Sequence, residues 1–323
     1  MVVNDSSGRH LAEKIDNFNG RLDVLGINGY HVNESGVIEV DSSVRLDRLI
    51  IPSFITDIKD RQFQDCNELE RVVIKGDITT VGNRAFTSCH KLKEFIFPKS
   101  VLRIGDACFY RCKSLKKVEL PNVVAKLPER IFGGCSALRD VTLPDYLITI
   151  GERAFEECRS LQHIDLPDSL KEIGISAFKG TSLTGIRLPD GLEKIGDLAF
   201  SGCKQLTEIV IPDSIVDIGL GVFEACWGLT RVGLPDTLAS IGRSAFNECF
   251  SLKNIIIPTG VINVDGTTFQ YCIGLEDVAI EGDTDFRKGA FYGCNKIKRV
   301  HCRRGNVDKY SVLFRDDVEY EVY

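Results

Sequence analysis

Cysteine is the residue type in this chain whose spacing suggests chemistry. The 323 residues include 12 cysteines, and ten of them stand three places after a phenylalanine. Successive phenylalanines lie 23 residues apart, or 22 in two places, from Phe63 to Phe291. The ten cysteines are Cys66, Cys89, Cys112, Cys135, Cys158, Cys203, Cys226, Cys249, Cys272 and Cys294. A thiol at one fixed position of a repeated unit predicts a file of thiols along the molecule.

Three alternatives are open for this file. The spacing favours buried small side chains, one per unit, because cysteine is among the residue types most often buried. Disulfides between neighbours are the second alternative, and they require thiols held in register to be distorted in pairs. A metal site is the third, although no Cys-x2-Cys pair is present. The favoured alternative implies no cofactor.

The sequence contains none of the usual catalytic motifs. It has no phosphate-binding glycine loop followed by Lys-Ser/Thr, no dinucleotide fingerprint, no His-Glu-x-x-His and no nucleophile elbow. One carboxylate constellation, Glu119 and Asp165 with Arg187, is expected on a single face. Its carboxylates would lie about 9–10 Å apart, near the upper end of the inverting glycosidase range. No group suited to act as a general acid accompanies them, so the prediction is that the chain is not an enzyme.

The repeated unit is what positions these residues. It has the form Cys-x2-Leu-x2-(Ile/Val)-x-(Ile/Leu)-Pro-x2-Leu-x2-Ile-Gly-x2-Ala-Phe, and residues 158–178 show it in full. Ile164-Asp165-Leu166 alternates apolar and polar residues, which predicts a short strand, and Pro167 ends it. Ala177-Phe178 predicts a tight helical or 3₁₀ turn that directs the ring inward. A single unit cannot cover its own apolar side, so the units must stack as a solenoid.

The unit resembles the BspA-like leucine-rich repeat family over Leu46 to Cys302, in eleven copies that share one register. The resemblance implies a right-handed, curved, β-rich solenoid with parallel strands on the concave face and short helical or 3₁₀ turns on the convex side. It implies binding of other proteins, and no catalytic or ligand-binding residues carry over from it. Lys59, Pro128 and Asp265 replace the motif's glycine, which weakens single turns rather than the architecture.

Three segments are expected along the chain: an N-terminal lead and cap (1–45), the repeats (46–302) and a C-terminal cap (303–323). Within the first, residues 20–45 are predicted to form a hairpin-like cap, and the alternating residues 318–323 are predicted to close the sheet. The net charge of −6 argues against capture of nucleic acid. No apolar run long enough to cross a membrane and no signal peptide is evident, so a soluble chain is expected, cytoplasmic as written or at the surface if a fragment.

The residue after the cysteine suggests where a partner binds. It is polar in most units, but in three successive units it is Trp227, Phe250 and Ile273, with Tyr271 close by. Three large apolar groups at one repeat position predict a contiguous patch. The alternative is that they fold back over their own coils as core. Val210 and Ile256, on the strands of the same region, complete the candidate partner-binding residues.

Two functions follow from these observations. The first is a non-catalytic protein-interaction scaffold, with self-association through the patch as one form of it. The second is a secreted or cell-surface adhesin or glycan-binding protein on the same solenoid. The partner, the compartment and the oligomeric state are not determined by the sequence.

Overall fold

The computed structural model describes residues 46–323 and the backbone of Tyr30–Val32 and Ile38–Val40. These residues form a parallel-strand solenoid of about 12 turns, as the repeat predicts. Each turn of the solenoid, called a coil below, contributes to two series of parallel strands. The alternation of apolar and polar residues places one side of each strand in the core.

The first series, the first sheet, holds the longer strands. Its parallel neighbours pair in a register that matches equivalent residues of successive coils, as Arg231↔Glu208 shows. The strands are Arg48–Ile51, Arg71–Ile74, Lys117–Glu119, Asp140–Thr142, Glu208–Val210, Arg231–Gly233, Asn254–Ile257, Asp277–Ile280, Arg299–Cys302 and Glu319–Val322. Between Asp140–Thr142 and Glu208–Val210 the strand pairing of the first sheet is interrupted, or lapses, apart from a single bridge from Gly185 to Glu208.

The second series, the second sheet, has strands of two residues each. They arise from the Leu-x2-Ile part of the unit, where one apolar residue of each pair faces the core. The strands are Asp57–Ile58, Thr80–Val81, Arg103–Ile104, Lys126–Leu127, Thr149–Ile150, Glu172–Ile173, Lys194–Ile195, Asp217–Ile218, Ser240–Ile241, Asn263–Val264 and Asp285–Phe286. One unbroken stretch of this sheet, from Lys126 to Ile195, crosses the coils where the first sheet lapses.

The segment around each phenylalanine is a chain of tight turns instead of the helical turn expected there. Residues two before and two after the phenylalanine adopt positive φ in nearly every coil, as Arg153 (53°) and Glu157 (59°) do. Every second backbone N–H of this segment donates to the next coil: Arg153 N donates to Ile175 O at 2.8 Å, and Phe155 N to Ala177 O at 2.8 Å. The N–H groups between them bond within their own coil, as Glu156 N does to Arg153 O. This turn ladder therefore runs in one direction along the solenoid.

The core is a single column with the phenylalanines at its centre. From Phe63 to Phe291 each ring stacks on the next, with centroids 5.2–5.9 Å apart and interplanar angles of 23° or less. Leu and Ile of the repeat form parallel buried columns around them. The prediction that one apolar spine holds all the coils together is confirmed.

The two ends differ from the repeats. Tyr30–Val32 pairs antiparallel with Ile38–Val40 in the N-terminal segment, most of which lies outside the described residues. At the other end a 3₁₀ turn (Arg304–Asn306) and helix α1 (Val307–Ser311) follow the last repeat. Glu319–Val322 then pairs parallel with Arg299–Cys302 and extends the first sheet by one strand. The N-terminal cap as such stays a prediction.

Candidate interaction surface

The cysteine file lies in the core, and its thiols have a definite role there. Cys135 Sγ donates to the carbonyl of Phe109, in the preceding coil, at 3.1 Å. The same contact recurs in nine coils at 2.9–3.3 Å. The thiol thus satisfies a buried carbonyl as well as filling space. In the coil without a cysteine, Thr181 Oγ1 donates to the Phe178 carbonyl at 2.9 Å.

All twelve cysteines are free thiols, and all except the half-buried Cys66 are buried. Burial raises the pKa of the Cys135 thiol far above its ordinary value, because the thiolate would lose its hydration. Cys66, which is only half-buried, has its pKa raised to about 11, first by burial and then by the charge of Asp65. A high pKa keeps a thiol protonated and poorly nucleophilic near neutral pH.

The described residues do not assemble a catalytic or metal centre from the carboxylates considered above. Asp165 is almost fully exposed and lies 3.0 Å from His163 Nε2. Arg187 pairs with Asp168 at 2.8 Å instead of with the expected constellation. No three histidine, cysteine, aspartate or glutamate side chains of residues 46–323 are grouped to hold a metal ion.

The first four rungs of the first sheet line a charged groove of about 520 Å³. Its charges pair across neighbouring rungs: Lys93 Nζ lies 2.6 Å from Glu70, and Arg71 Nε lies 3.4 Å from Glu94. The lining residues are Asp47, Arg48, Glu70, Arg71, Lys93, Glu94, Lys116 and Lys117. Three acidic and five basic side chains line the groove, so both signs are present and the field is not of one sign throughout.

Trp227 and Phe250 form the centre of an apolar patch on the surface. Their rings stack with centroids 5.6 Å apart and planes at 22°. Lys204, the equivalent residue of the preceding coil, places its Nζ 3.7 Å from the centroid of the indole ring. Both faces of the indole are therefore occupied, one by the phenyl ring and the other by a cation. The Trp227 side chain remains 39% exposed.

Ile273 continues the row in the next coil and is 49% exposed. Tyr271, two residues before it, has a positive φ of 57° and an exposed side chain. Its ring meets that of Tyr292 edge to face, with centroids 5.6 Å apart. Lys204, Trp227, Phe250, Ile273, Tyr271 and Tyr292 together are called the aromatic patch below. Trp227 and Ile273 are exposed and Phe250 is half-buried, so the row lies at the surface, and its role in partner binding stays a prediction.

Val210 and Ile256 occupy a different surface. Both lie exposed on the first sheet, on strands two coils apart. Gly233, the equivalent residue of the coil between them, pairs with Val210. The partner-binding residues predicted from the sequence thus lie on two surfaces, the first sheet and the aromatic patch. It missed Lys204 and Tyr292, although Lys204 stands directly after Cys203, at the same repeat position as Trp227.

Comparison with known proteins agrees with this architecture. The family model for the BspA type leucine rich repeat region matches residues 40–116, 102–226 and 171–298. These matches together span 40–298, most of the chain. No curated protein matches. Among the described residues, no helix is long and apolar enough to span a membrane.

Solved structures of bacterial leucine-rich repeat proteins are similar. One from Bacteroides ovatus is 27% identical with a TM-score of 0.65, covering 86% of this chain and 84% of its own. A leucine rich cell surface protein from Faecalibacterium prausnitzii is 21% identical with a TM-score of 0.52, covering 89% of this chain and 96% of its own. One from Eubacterium ventriosum is 17% identical with a TM-score of 0.54, covering 82% and 93%. The last two show the fold alone.

Proposed function

Because the chain belongs to the BspA-type leucine-rich repeat family, we propose that it is a non-catalytic scaffold that binds another protein through the aromatic patch. Repeat solenoids of this kind present extended surfaces on a rigid core. Trp227 supports the choice of surface, since tryptophan and tyrosine are enriched where binding energy concentrates. The stack of Lys204, Trp227 and Phe250 holds these side chains in place before binding, which lowers the entropy that a partner must offset.

The partner's complementary surface is expected to be apolar with a polar edge. Ile273 and the exposed edges of Trp227 and Tyr271 offer the apolar contact area, while the tyrosine hydroxyls and the Lys204 ammonium lie around it. Burial of apolar surface contributes about 25 cal/mol per Å². Three such groups would therefore contribute several kcal/mol to association.

The proposal is tested with a random peptide library displayed on phage. Peptides selected on the native protein should bind the variant Trp227→Ala/Phe250→Ala at least about tenfold more weakly, because two anchoring rings are removed. The variant's free energy of unfolding should fall by no more than about 1 kcal/mol, as both rings are partly exposed. Selected peptides that bind the variant as tightly as the native protein would contradict the proposal.

Ile96→Ala is the matched control. Ile96 is a highly exposed apolar residue of a different coil, remote in sequence from the patch. The control removes apolar surface without touching the aromatic rings, so the selected peptides should bind it as they bind the native protein. A large loss of stability in Trp227→Ala/Phe250→Ala would identify the rings as structural.

A glycan-binding adhesin is the second candidate. It is supported by the Faecalibacterium prausnitzii neighbour, which is described as a cell surface protein. Sugar rings stack on open aromatic faces, but both faces of the Trp227 indole are already covered. A glycan array probed with the native protein and with Trp227→Ala/Phe250→Ala separates the two functions. Glycan capture that requires the two rings would favour the adhesin over the protein scaffold.

A further inference from the structure

One row of side chains on the second sheet has an order that reads nearly the same from both ends. The row consists of the residue that precedes each two-residue strand in eight successive coils. In order its members are Leu102, Ala125, Ile148, Lys171, Glu193, Val216, Ala239 and Ile262. The order is large apolar, small, large apolar, positive, then negative, large apolar, small, large apolar. We call this the palindromic row.

The backbone holds the row in register. Ile148 N donates to Ala125 O at 2.7 Å, and Lys171 N donates to Ile148 O at 2.8 Å. In the other half, Ala239 N donates to Val216 O at 2.8 Å. Within each hydrogen-bonded stretch of the second sheet, neighbouring members are one strand spacing apart, about 4.8 Å, and eight coils at that spacing span about 34 Å. The strand pairing is interrupted between Leu102 and Ala125 and between Glu193 and Val216. At both places the phenylalanines of the two coils still stack, with centroids 5.9 and 5.6 Å apart.

The row is open to solvent. Leu102 is 61% exposed and Ile262 62% exposed, at its two ends, and Ile148 and Val216 are exposed nearer the middle. Val123 and Tyr146 widen the apolar surface beside the first half. Large apolar groups repeated at one position of an exposed sheet face are typical of a surface that a partner covers.

The centre of the row is charged and internally paired. Lys171 Nζ lies 3.0 Å from Glu193. In the adjacent position of the same two coils the signs are reversed, and Lys194 Nζ lies 2.8 Å from Glu172. The four charges form a square with alternating signs. When these four charges are rotated by 180° about an axis parallel to the strands, each charge faces one of opposite sign.

We propose that this face binds a second copy of the chain in antiparallel orientation. A two-fold axis parallel to the strands, passing between the coils of Lys171 and Glu193, reverses the coil order and keeps each position opposite itself. Leu102 then faces Ile262 of the second copy, Ala125 faces Ala239, and Ile148 faces Val216. Lys171 faces Glu193 of the second copy at the axis, where opposite charges meet twice.

The neighbouring positions also tolerate this arrangement. In the strand position that follows the row, Arg103 would face Asn263, Lys126 would face Ser240, and Glu172 would face Lys194. At this position no like charges oppose each other. Three residues before the row, Asp145 would face Asp213 and Asp168 would face Asp190. Arg187 lies 2.8 Å from Asp168 and offsets part of that repulsion. On the other side of the row the bulky Tyr146 would face Ser214, so a large side chain meets a small one. Electrostatic complementarity of this kind fixes both partner and register.

Charge exchange tests the proposal by sedimentation equilibrium. The native protein should show a concentration-dependent dimer. Lys171→Glu alone and Glu193→Lys alone should each raise the dimer dissociation constant about tenfold or more, because like charges then meet twice. An equimolar mixture of the two variants should recover the dimer, since each supplies the charge that the other lacks. A native protein that is monomeric at all concentrations would overturn the proposal, as would variants that dimerise unchanged.

Lys93→Glu is the matched control. It makes the same charge change and breaks a comparable pair with Glu70, on the first sheet. The control should leave the dimer intact, as should Trp227→Ala/Phe250→Ala, so this test is independent of the aromatic patch. A control that disrupts the dimer as strongly as Lys171→Glu would show that net charge, not the palindromic row, governs association.

Introduced cysteines test the register. Ala125 and Ala239 are five coils apart, too far to bridge within one chain, but the proposal places them opposite each other between copies. Ala125→Cys/Ala239→Cys should form a covalent dimer under mild oxidation, while either single variant should stay monomeric on a non-reducing gel. Equal cross-linking by the single variants, or none by the double variant, would refute the antiparallel register.

Discussion

A cysteine of the file couples two coils with one small side chain. The Cys135 thiol fills a core position and donates to the Phe109 carbonyl of the preceding coil. A valine there would fill the volume without the donor, and a serine would supply the donor with a smaller side chain. The sequence predicts the burial of the file, because the apolar period encloses it. The hydrogen bond could not be predicted, since it depends on which carbonyl lies under each thiol.

Alkaline pH should destabilise the fold through these thiols. Burial raises the pKa of Cys135 above its ordinary value of 9.0, so the folded chain stabilises the neutral thiol. That stabilisation is complete below pH 9, where the unfolded thiol is also neutral, and is lost as the pH rises above it. Urea unfolding between pH 8 and pH 10.5 should show a falling free energy of unfolding.

Cys135→Val isolates one thiol in that series. Above pH 9, the free energy of unfolding of Cys135→Val should fall less steeply with pH than that of the native protein. The difference in slope should be about 1.4 kcal/mol per pH unit. The difference between the two proteins removes the contributions of tyrosine and lysine, which both proteins share. Parallel pH profiles would mean that Cys135 titrates alike in the folded and unfolded chains.

At the level of elements, the turn ladder depends on backbone conformations that few side chains favour. The sequence predicts a turn around each phenylalanine correctly, but the alternation of positive φ could not be read from it. Glycine occupies six of these positions and other residue types fifteen, arginine alone five, so composition does not mark them. Hydrogen bonds to the next coil hold the backbone there, and those bonds exist only once the coils have stacked.

Two glycines should respond oppositely to replacement by alanine. Gly202 has a φ of 71° with its nearest neighbour 3.7 Å from the added Cβ, so Gly202→Ala meets no clash and bears only the conformational cost, about 1 kcal/mol. Gly185 has open space around it and no positive φ. Gly185→Ala should be neutral or stabilise the fold by up to about 1 kcal/mol.

Thermal and urea unfolding of the two variants measure this difference. Both substitutions add one methyl group to neighbouring coils, so each serves as the control for the other. Equal effects on the free energy of unfolding would show that the positive φ at Gly202 carries no penalty. A gain for Gly202→Ala would show that the turn relaxes to a conformation that alanine accepts.

At the scale of the whole molecule, the two sheets are interrupted at different coils, so that one sheet is continuous where the other breaks. The first sheet lapses between Thr142 and Glu208, where the second sheet runs unbroken from Lys126 to Ile195. The second sheet breaks after Ile195, where the first sheet resumes. Repetition of the unit predicts the solenoid and its spine. It could not predict these lapses, because the strand residues in the lapsed coils follow the same pattern.

Amide hydrogen exchange should show which coils lack strand hydrogen bonds in the first sheet. The backbone amides of residues 163–165 lack first-sheet partners and should exchange faster than those of Glu208–Val210 and Asn254–Ile257. The amide of Gly174, bonded to Ile150 O at 2.8 Å in the turn after the second sheet, should stay protected in the same coils. Uniform protection along the first sheet would contradict the lapse.

The one-way direction of the turn ladder has a consequence for how such a chain can change in length. Within the turn ladder every coil offers donors on its forward side and acceptors on its rear side, so any coil can follow any other without a new kind of joint. Duplication of a 23-residue unit in the gene would add a coil that fits at once. Growth by whole units is therefore structurally easy, whereas inserting half a unit would leave every later phenylalanine out of line with its spine.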